Sequence, residues 1–473
     1  MSSAKQLFND AREATEAEHN LTLVQALKLY PKAVGWSVLV SAACIMEGYD
    51  MAVIGQLFAQ DSFKRRFGEP FHDGSYQITA AWQTALGNAG YIGTIFGILL
   101  NGHITERIGM KKTLALAHAA LTGFTFILVF GQTKALLLVG QLLCGLSWGI
   151  FTAAAPTYAS EVCPVVLRGY LTTFINMTWV VGQLIAAGIF RGAQGMQGKW
   201  AYGIPFAIQW VWPVPLCAGL LFCPESPWWL LRKGRLDEAE HSLRRLSPAT
   251  YPEKTLAMMI RTDEQEKKLD SSSYWDCFKG VDLRRTEIAL IAWPIQVFAG
   301  ISMNQYNTYF FQQAGVSGAT AFDISIGYYA LGFVGTLVAW FLMTHYGRRT
   351  IFIGGLALMC LTMLAIGFAA LAPESNHAAT WAQSILLVIW VSFYDGSVGP
   401  LAFCIVSEVG STRLRAKTIA IGRCSFYFWF IAFGVATPYM LNPDEANLKG
   451  KTFFLYGGLA FFRCSGLTFG CRK

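Results

Sequence analysis

Apolar stretches of membrane-spanning length recur along this chain with short gaps between them, and no other feature constrains its fold as strongly. A helix needs ~20 apolar residues to cross the hydrocarbon core. Twelve such stretches can be drawn, over 35–58, 77–101, 113–131, 135–158, 169–190, 203–223, 288–311, 322–343, 350–371, 380–405, 418–440 and 452–471. The twelfth is expected to be poorly formed or truncated. Arg463 falls near its centre, where a charge costs ~2.5–3.5 kcal/mol on insertion scales. Charged residues make up 14% of the chain, against about 25% in soluble domains. The deficit extends over the whole length, which implies an all-α polytopic membrane protein and excludes a soluble domain with one anchor. The eleven cysteines are scattered, mostly through apolar segments, with no CxxC and no Cys/His cluster, so they read as small buried hydrophobes and no metal site is expected. The first 32 residues are polar and carry no cleavable leader pattern. Asn20-Leu21-Thr22 matches a glycosylation sequon, but it falls in this tail, which is expected to be cytoplasmic.

The largest polar insert, 224–287, separates the sixth and seventh stretches and holds twelve Lys/Arg and twelve Asp/Glu. The expected layout is a cytoplasmic tail over 1–34, a six-helix bundle over 35–223, a cytoplasmic linker over 224–287 and a second bundle over 288–473 with an atypical last helix. With both termini inside, the inner loops and tail hold thirteen Lys/Arg, among them Lys5 and Arg413, and the outer loops hold eight, a weak bias toward that orientation. Repetition is the stronger signal. SEVCPVVLR (160–168) follows the fourth stretch and SEVGSTRLR (407–415) follows the tenth, 247 residues later. ERIGMKK (106–112) and THYGRRT (344–350) follow the second and eighth. Two parallel repeats of this kind are the pattern of carriers whose substrate site lies between two bundles.

Two carboxylates interrupt the first stretch. Glu47 and Asp50 are three residues apart, so they share a helix face. Acids inside membrane helices normally face the bundle interior or an aqueous cavity. Two on one face repel, and one of them is expected to hold and release a proton during a cycle. A structural carboxylate paired with a buried donor is the plainer alternative. Asp395 is a third acid, mid-helix in the tenth stretch, suited to a sugar hydroxyl, to the proton path or to stabilising a Gly-broken helix. His118 reads as a satisfied buried histidine. Polar side chains cluster in two stretches: Asn176 and Gln183 on one face of the fifth, and Gln296, Ser302, Asn304, Gln305, Asn307 and Tyr309 in the seventh. Such a load suits a cavity that binds hydroxyls; single amides bonding between helices would be the plainer reading. There is no P-loop, nucleotide fingerprint or Gly-x-Ser-x-Gly elbow, so transport without a cofactor, driven by a gradient or facilitative, is expected and catalysis is not.

GHITERIGMKK (102–112), PTYASEVCPVVLRG (156–169), PESPWWLLRKGR (224–235), YGRRT (346–350) and GPLAFCIVSEVGSTRLR (399–415) occur in the order found in sugar porters of the major facilitator superfamily, and the chain resembles that family from about 35 to 460. Within it, EGYD (47–50), GQLLCGLSWG (140–149), NTYFFQQAG (307–315) and TPYMLNP with NLKGK (437–451) are most similar to fungal alpha-glucoside, maltose-type, proton symporters. The resemblance implies a major facilitator fold of two six-helix bundles. It implies proton coupling at Asp50 with Glu47 beside it, sugar contacts at Asn176, Gln183 and Gln296, and a gating aromatic at Tyr306. Ser302, Asn304, Asp395, Phe403 and Tyr427 complete the expected substrate site. Of these, Ser302 replaces the Asn of hexose porters, Phe403 their Trp, and Phe426-Tyr427 their Gln-Trp, which favours a different, larger sugar. Arg107, Glu161, Arg168, Arg348, Glu408 and Arg415 are implied to form ion pairs that latch the inner side, though topology-setting charge is the alternative. Two departures stand out: Thr94 where an acid is usual in alpha-glucoside permeases, and Met110 where a basic residue is usual. The expected partners are a sugar, protons and the lipid bilayer, with no nucleic acid and no obligate protein partner, so that a monomer suffices. The expected location is the plasma membrane. A facilitative sugar uniporter is the alternative. A sugar sensor ranks below it, because sensors of this kind usually carry a long cytoplasmic tail.

Overall fold

The computed structural model describes residues 10–470 except 14–15, 17–20, 71–75, 248–251, 268–272, 374–375 and 412–413, and only the backbone of 265–267, 416 and 463–470. Lys5, Asn20 and Arg413 lie outside the described residues, as does the side chain of Arg463.

Helices make up nearly all of it. In the first half they are α1 (Leu23–Leu29), α2 (Pro31–Ser41), α3 (Cys44–Leu57), α4 (Asp61–Phe67), α5 (Ala80–Ile108), α6 (Met110–Phe130), α7 (Lys134–Val162), α8 (Val165–Ala193), α9 (Trp200–Ala207) and α10 (Pro213–Phe222). The linker contributes α11 (Pro227–Arg232), α12 (Leu236–Leu246) and α13 (Pro252–Lys267). The second half holds α14 (Gly280–Ala292), α15 (Ile295–Phe298), α16 (Ser302–Gln305), α17 (Asn307–Gln313), α18 (Gly318–His345), α19 (Arg348–Ala369), α20 (His377–Phe393), α21 (Gly399–Val409), α22 (Arg415–Leu441) and α23 (Thr452–Gly470). Between α4 and α5, β1 (Glu69–Pro70) pairs antiparallel with β2 (Tyr76–Gln77). Among the described residues, nine segments are long and apolar enough to cross a membrane, so this is a multi-pass membrane protein.

Glycine sets the closest helix crossings, because apolar helices in lipid gain most from packing that lets backbones approach. Where α5 crosses α7, a Cβ on Gly93 would lie 2.0 Å from the Leu142 carbonyl and one on Gly149 would lie 2.2 Å from that of Thr94. Where α3 crosses α8, a Cβ on Gly48 would lie 2.3 Å from the Trp179 carbonyl and one on Gly182 would lie 2.1 Å from that of Ile45. This second crossing brings Glu47 against Trp179.

The sequence repeat survives as matched helix ends: α7 stops at Val162 and α21 at Val409, the same 247-residue offset. Four stretches expected to be continuous are broken. The first divides at Ala42 and Ala43 into α2 and α3. The sixth divides into α9, a short 3-10 turn over Ile208–Val211 and α10. In the seventh, breaks at Pro294, at Gly300 (φ +93°) and at Tyr306 divide the chain into α14 to α17. In the tenth, a π-helical turn over Tyr394–Val398 joins α20 to α21. The twelfth stretch, expected to be poorly formed, has a helical backbone over Thr452–Gly470 whose first turns bury Phe453, Tyr456 and Ala460, but among the described residues it is not one of the nine segments long and apolar enough to cross.

Candidate functional site

α3 carries both first-stretch acids, each 1% exposed. They do not act as one pair. The Glu47 carboxylate accepts from Trp179 Nε1 at 2.9 Å and from the Tyr427 hydroxyl at 2.5 Å. Trp179 belongs to α8 in the first half and Tyr427 to α22 in the second, so Glu47 is bonded to both. Asp50 has its partner within the first half, where it accepts from Gln209 Nε2 in the turn between α9 and α10. Its second oxygen has no partner among the described residues. Two acids on one face of one helix therefore meet different surroundings.

A buried cation faces Glu47. Arg423 on α22 is 1% exposed. Its Nε and Nη2 donate to Thr152 Oγ1 at 3.2 and 2.5 Å. Its guanidinium lies 4.3 Å from the Trp293 ring centroid, 4.7 Å from Trp179, 5.0 Å from Phe403 and 5.2 Å from Tyr427. Guanidinium over an aromatic face is attractive, and more so when desolvated. Trp179 and Tyr427 thus touch Arg423 through their rings and Glu47 through their polar hydrogens. Acid and base are joined through two shared aromatic side chains. Arg423 was absent from the expected site, yet it is the only charged residue between Thr418 and Leu441. A search for buried bases as well as buried acids would have found it. Gln209 gave a weaker signal, a lone amide among tryptophans and prolines.

Beside this cluster lies a narrow cleft of about 450 Å³ between the two halves. Four of the expected sugar contacts line it: Asn176, Gln183, Asn304 and Asp395. Asp395 sits in the π-helical turn, a distortion often found at functional sites. It accepts from Asn176 Nδ2 at 2.8 Å, which closes the cleft from both halves. Gly332 on α18 leaves the space, since a Cβ there would lie 2.5 Å from Asp395 Oδ2. Gln305 and Tyr394 also line the cleft. The breaks in the seventh stretch aim Gln305 at it, and Tyr91 of α5 donates to its Oε1 at 3.3 Å.

The other expected contacts lie off the cleft wall. Gln296 is one bond behind it, accepting from the Tyr394 hydroxyl at 2.6 Å. Phe403 packs edge-on to Trp293, with centroids 4.4 Å apart. Tyr427 is occupied by Glu47. Ser302 is buried at the start of α16. Tyr306, at the joint between α16 and α17, stacks on Phe58 of the first half at 6.0 Å. Helix breaks move Gln296, Ser302 and Tyr306 away from the face that a continuous helix would give them, and ring contacts and the bond to Glu47 hold Phe403 and Tyr427. His118 is buried with Nδ1 2.8 Å from the Leu114 carbonyl. Thr94 bonds back to the Gly90 carbonyl at 2.9 Å.

The inner latch also differs from expectation. Arg348 pairs with Glu408 at 2.7 Å, both in the second half. Glu161, however, pairs with Arg232 of the linker at 3.1 Å and accepts from Ser226. Arg107 makes no ion pair among the described residues and is exposed. Arg168 Nε donates to the Cys163 carbonyl at 3.4 Å. Arg415 follows the undescribed 412–413 and opens α22. The linker folds back by a route the spacing of the motifs does not encode.

Known proteins resemble this chain along its length. Residues 36–470 match the sequence profile of a family described as "Sugar (and other) transporter". A maltose permease of Saccharomyces cerevisiae is 40% identical over 462 residues, covering 95% of this chain and 75% of that protein. An alpha-glucosides permease of the same yeast is 40% identical over 464 residues, covering 96% and 77%. Among solved structures, a proton:xylose symporter bound to 6-bromo-6-deoxy-D-glucose superimposes with a TM-score of 0.78 at 20% identity, covering 93% of this chain and 96% of that one. A partially occluded inward-open form of the E. coli xylose transporter gives 0.76 at 18% identity, covering 93% and 97%. The fold is that of the major facilitator superfamily.

Proposed function

The chain belongs to the sugar (and other) transporter family, and on that premise we propose that it carries an alpha-glucoside such as maltose into the cell together with protons, by alternating access. The moving units are residues 35–223 and 288–473, with 224–287 as the linker. The linker and both termini face the cytoplasm, and the membrane is the plasma membrane.

The observation that carries the coupling is the bonding of Glu47 to both halves, through Trp179 and Tyr427, with Arg423 behind the same rings. A carboxylate accepts both hydrogen bonds and balances the guanidinium. A protonated acid gives up acceptor capacity and leaves Arg423 less compensated. Protonation therefore alters the force that holds the halves together at this level. Asp50, with one oxygen on Gln209 and the other unpartnered, is the proposed proton-binding acid, and Glu47 the acid that passes its state to the second half. Sugar hydroxyls are proposed to take over the bond between Asn176 and Asp395 and to meet Gln183 and Asn304, while Tyr306 over Phe58 closes the outer side. At the inner end, Arg348 with Glu408 and Glu161 with Arg232 hold the closed form.

The test is uptake of radiolabelled maltose by a transporter-null yeast, in acidic and neutral medium, with and without an uncoupler. Accumulation above the outside concentration, abolished by uncoupler, is the expected result. Uptake indifferent to uncoupler means facilitative transport and removes the proposed role of Asp50.

A further inference from the structure

A second cavity, of about 620 Å³ and roomier than the central cleft, opens between the halves at the helix ends opposite the linker. Ala59 to Ser62 and Gln194 form its first-half wall, and Gln312, Gly318 and Phe322 its second-half wall. We infer that this vestibule is a second binding site for a neutral polyhydroxylated ligand, a sugar held on its way to the central cleft. The inference rests on the sugar-carrier reading above.

Three carboxamides and an aromatic ring meet here. An amide both donates and accepts, as a sugar hydroxyl does, and a phenyl ring suits the apolar face of a pyranose. Gln60 is 4% exposed; its Nε2 donates to the Ala201 carbonyl at 2.8 Å, while its Oε1 has no partner among the described residues. A buried acceptor left unmet is unfavourable, so a small reorientation of the Gln60 amide toward a ligand hydroxyl would gain a bond. Gln312 ties the two halves loosely. Its Nε2 donates to the Ala59 carbonyl at 3.1 Å and its Oε1 accepts from Lys64 at 3.3 Å. Ligand hydroxyls can replace both bonds without leaving a buried charge.

The nearby charges favour a neutral ligand. Lys64 lies 3.6 Å from Asp61, and Arg191, which also donates to Gln194 at 3.3 Å, pairs with Asp323 at 2.5 Å. In both pairs the opposite charges offset one another, which leaves the amides rather than a free charge to meet a ligand. Because the walls come from both halves, sugar in the vestibule would occupy the place where the outer side closes.

Equilibrium binding of [14C]maltose to the full chain in lipid nanodiscs tests this. Two maltose molecules per wild-type chain are expected. Asn176→Ala with Gln183→Ala should remove the tighter and leave one. Gln194→Ala with Gln312→Ala should remove the weaker and leave the tighter, which also reports that this variant is folded. All four substitutions together should leave none. The proposal is overturned if the central-site variant binds no maltose, or if its remaining binding survives the vestibule substitutions. A wild-type chain that binds one maltose overturns the vestibule alone; one that binds none overturns the sugar-carrier reading as well. As a second measurement, a fluorophore on Ser62→Cys in the central-site variant should respond to maltose. An unchanged emission would overturn the proposal.

Discussion

The two inner helix ends carry the same Ser-Glu-Val sequence and solve the same problem differently. In the second half, Glu408 at the end of α21 pairs with Arg348, the first residue of α19. In the first half, the residue in the position of Arg348 is Met110, the first residue of α6 and 3% exposed. Met110 offers Glu161 no cation, and the linker supplies one. Arg232 and Ser226 take Glu161, while Glu225 accepts from the backbone nitrogens of Met110 and Lys111 at 3.0 and 3.2 Å, satisfying the exposed N-terminus of α6. Burial raises the Glu225 carboxyl above its ordinary range despite these donors. A repeat can thus fix where charges stand without fixing what pairs with them. The linker follows the first half and docks on it, so the two halves need not fail in the same way.

The centre of the molecule shows a similar asymmetry, the first half giving Glu47 and the second Arg423, and there the largest effect is expected. Arg423→Met leaves Glu47 without its compensating charge, and removing one partner of a buried pair costs ~3–5 kcal/mol. Loss of uptake and a lowered melting temperature in detergent should follow. Adding Glu47→Gln should restore much of the melting temperature but not transport. If the single and double variants melt alike, the two charges are not coupled.

Asp50→Asn should act on the first half alone. Maltose accumulation should fall to the equilibrium level while exchange across the membrane continues. Full accumulation by this variant would assign the proton elsewhere. At the inner ends the effects are smaller, because these side chains are partly exposed and such pairs contribute ~1 kcal/mol at most. Arg348→Ala should shift the balance of inward- and outward-open forms by about fivefold or less, read as accessibility of an inner-end cysteine. Arg232→Ala should shift it less, since Ser226 still donates to Glu161. Equal shifts would mean that the linker does not substitute for the missing cation. Ser226→Ala is expected to have the smallest effect. Its side chain also caps α11 by accepting from Trp229 N at 3.3 Å, a contribution of ~1 kcal/mol seen as a small drop in melting temperature.

The two-part architecture was legible because the repeat and the spacing of apolar stretches are properties of neighbouring residues. The buried acids were legible for the same reason: Glu47 and Asp50 stand out against an apolar run. Their separate partners were not. Gln209 is 159 residues from Asp50 and Tyr427 is 380 from Glu47, distances that only the packed helices close. The amide-rich seventh stretch announced a cavity, and four of the expected contacts reach the cleft. Gln296, Ser302, Tyr306, Phe403 and Tyr427 lie off its wall because local breaks and ring packing, not helical period, decide where those side chains point. Arg232 was hidden by the linker, whose mixed charge gives no clue to which of its residues turn toward Glu161.

The bond from Glu47 to both halves has a thermodynamic consequence. If closing the halves around Trp179 and Tyr427 changes the affinity of this acid for a proton by some factor, acidification must change the closed-to-open ratio by the same factor, because the two equilibria share one coupling free energy. The protein would then report external acidity in its shape even with no sugar present.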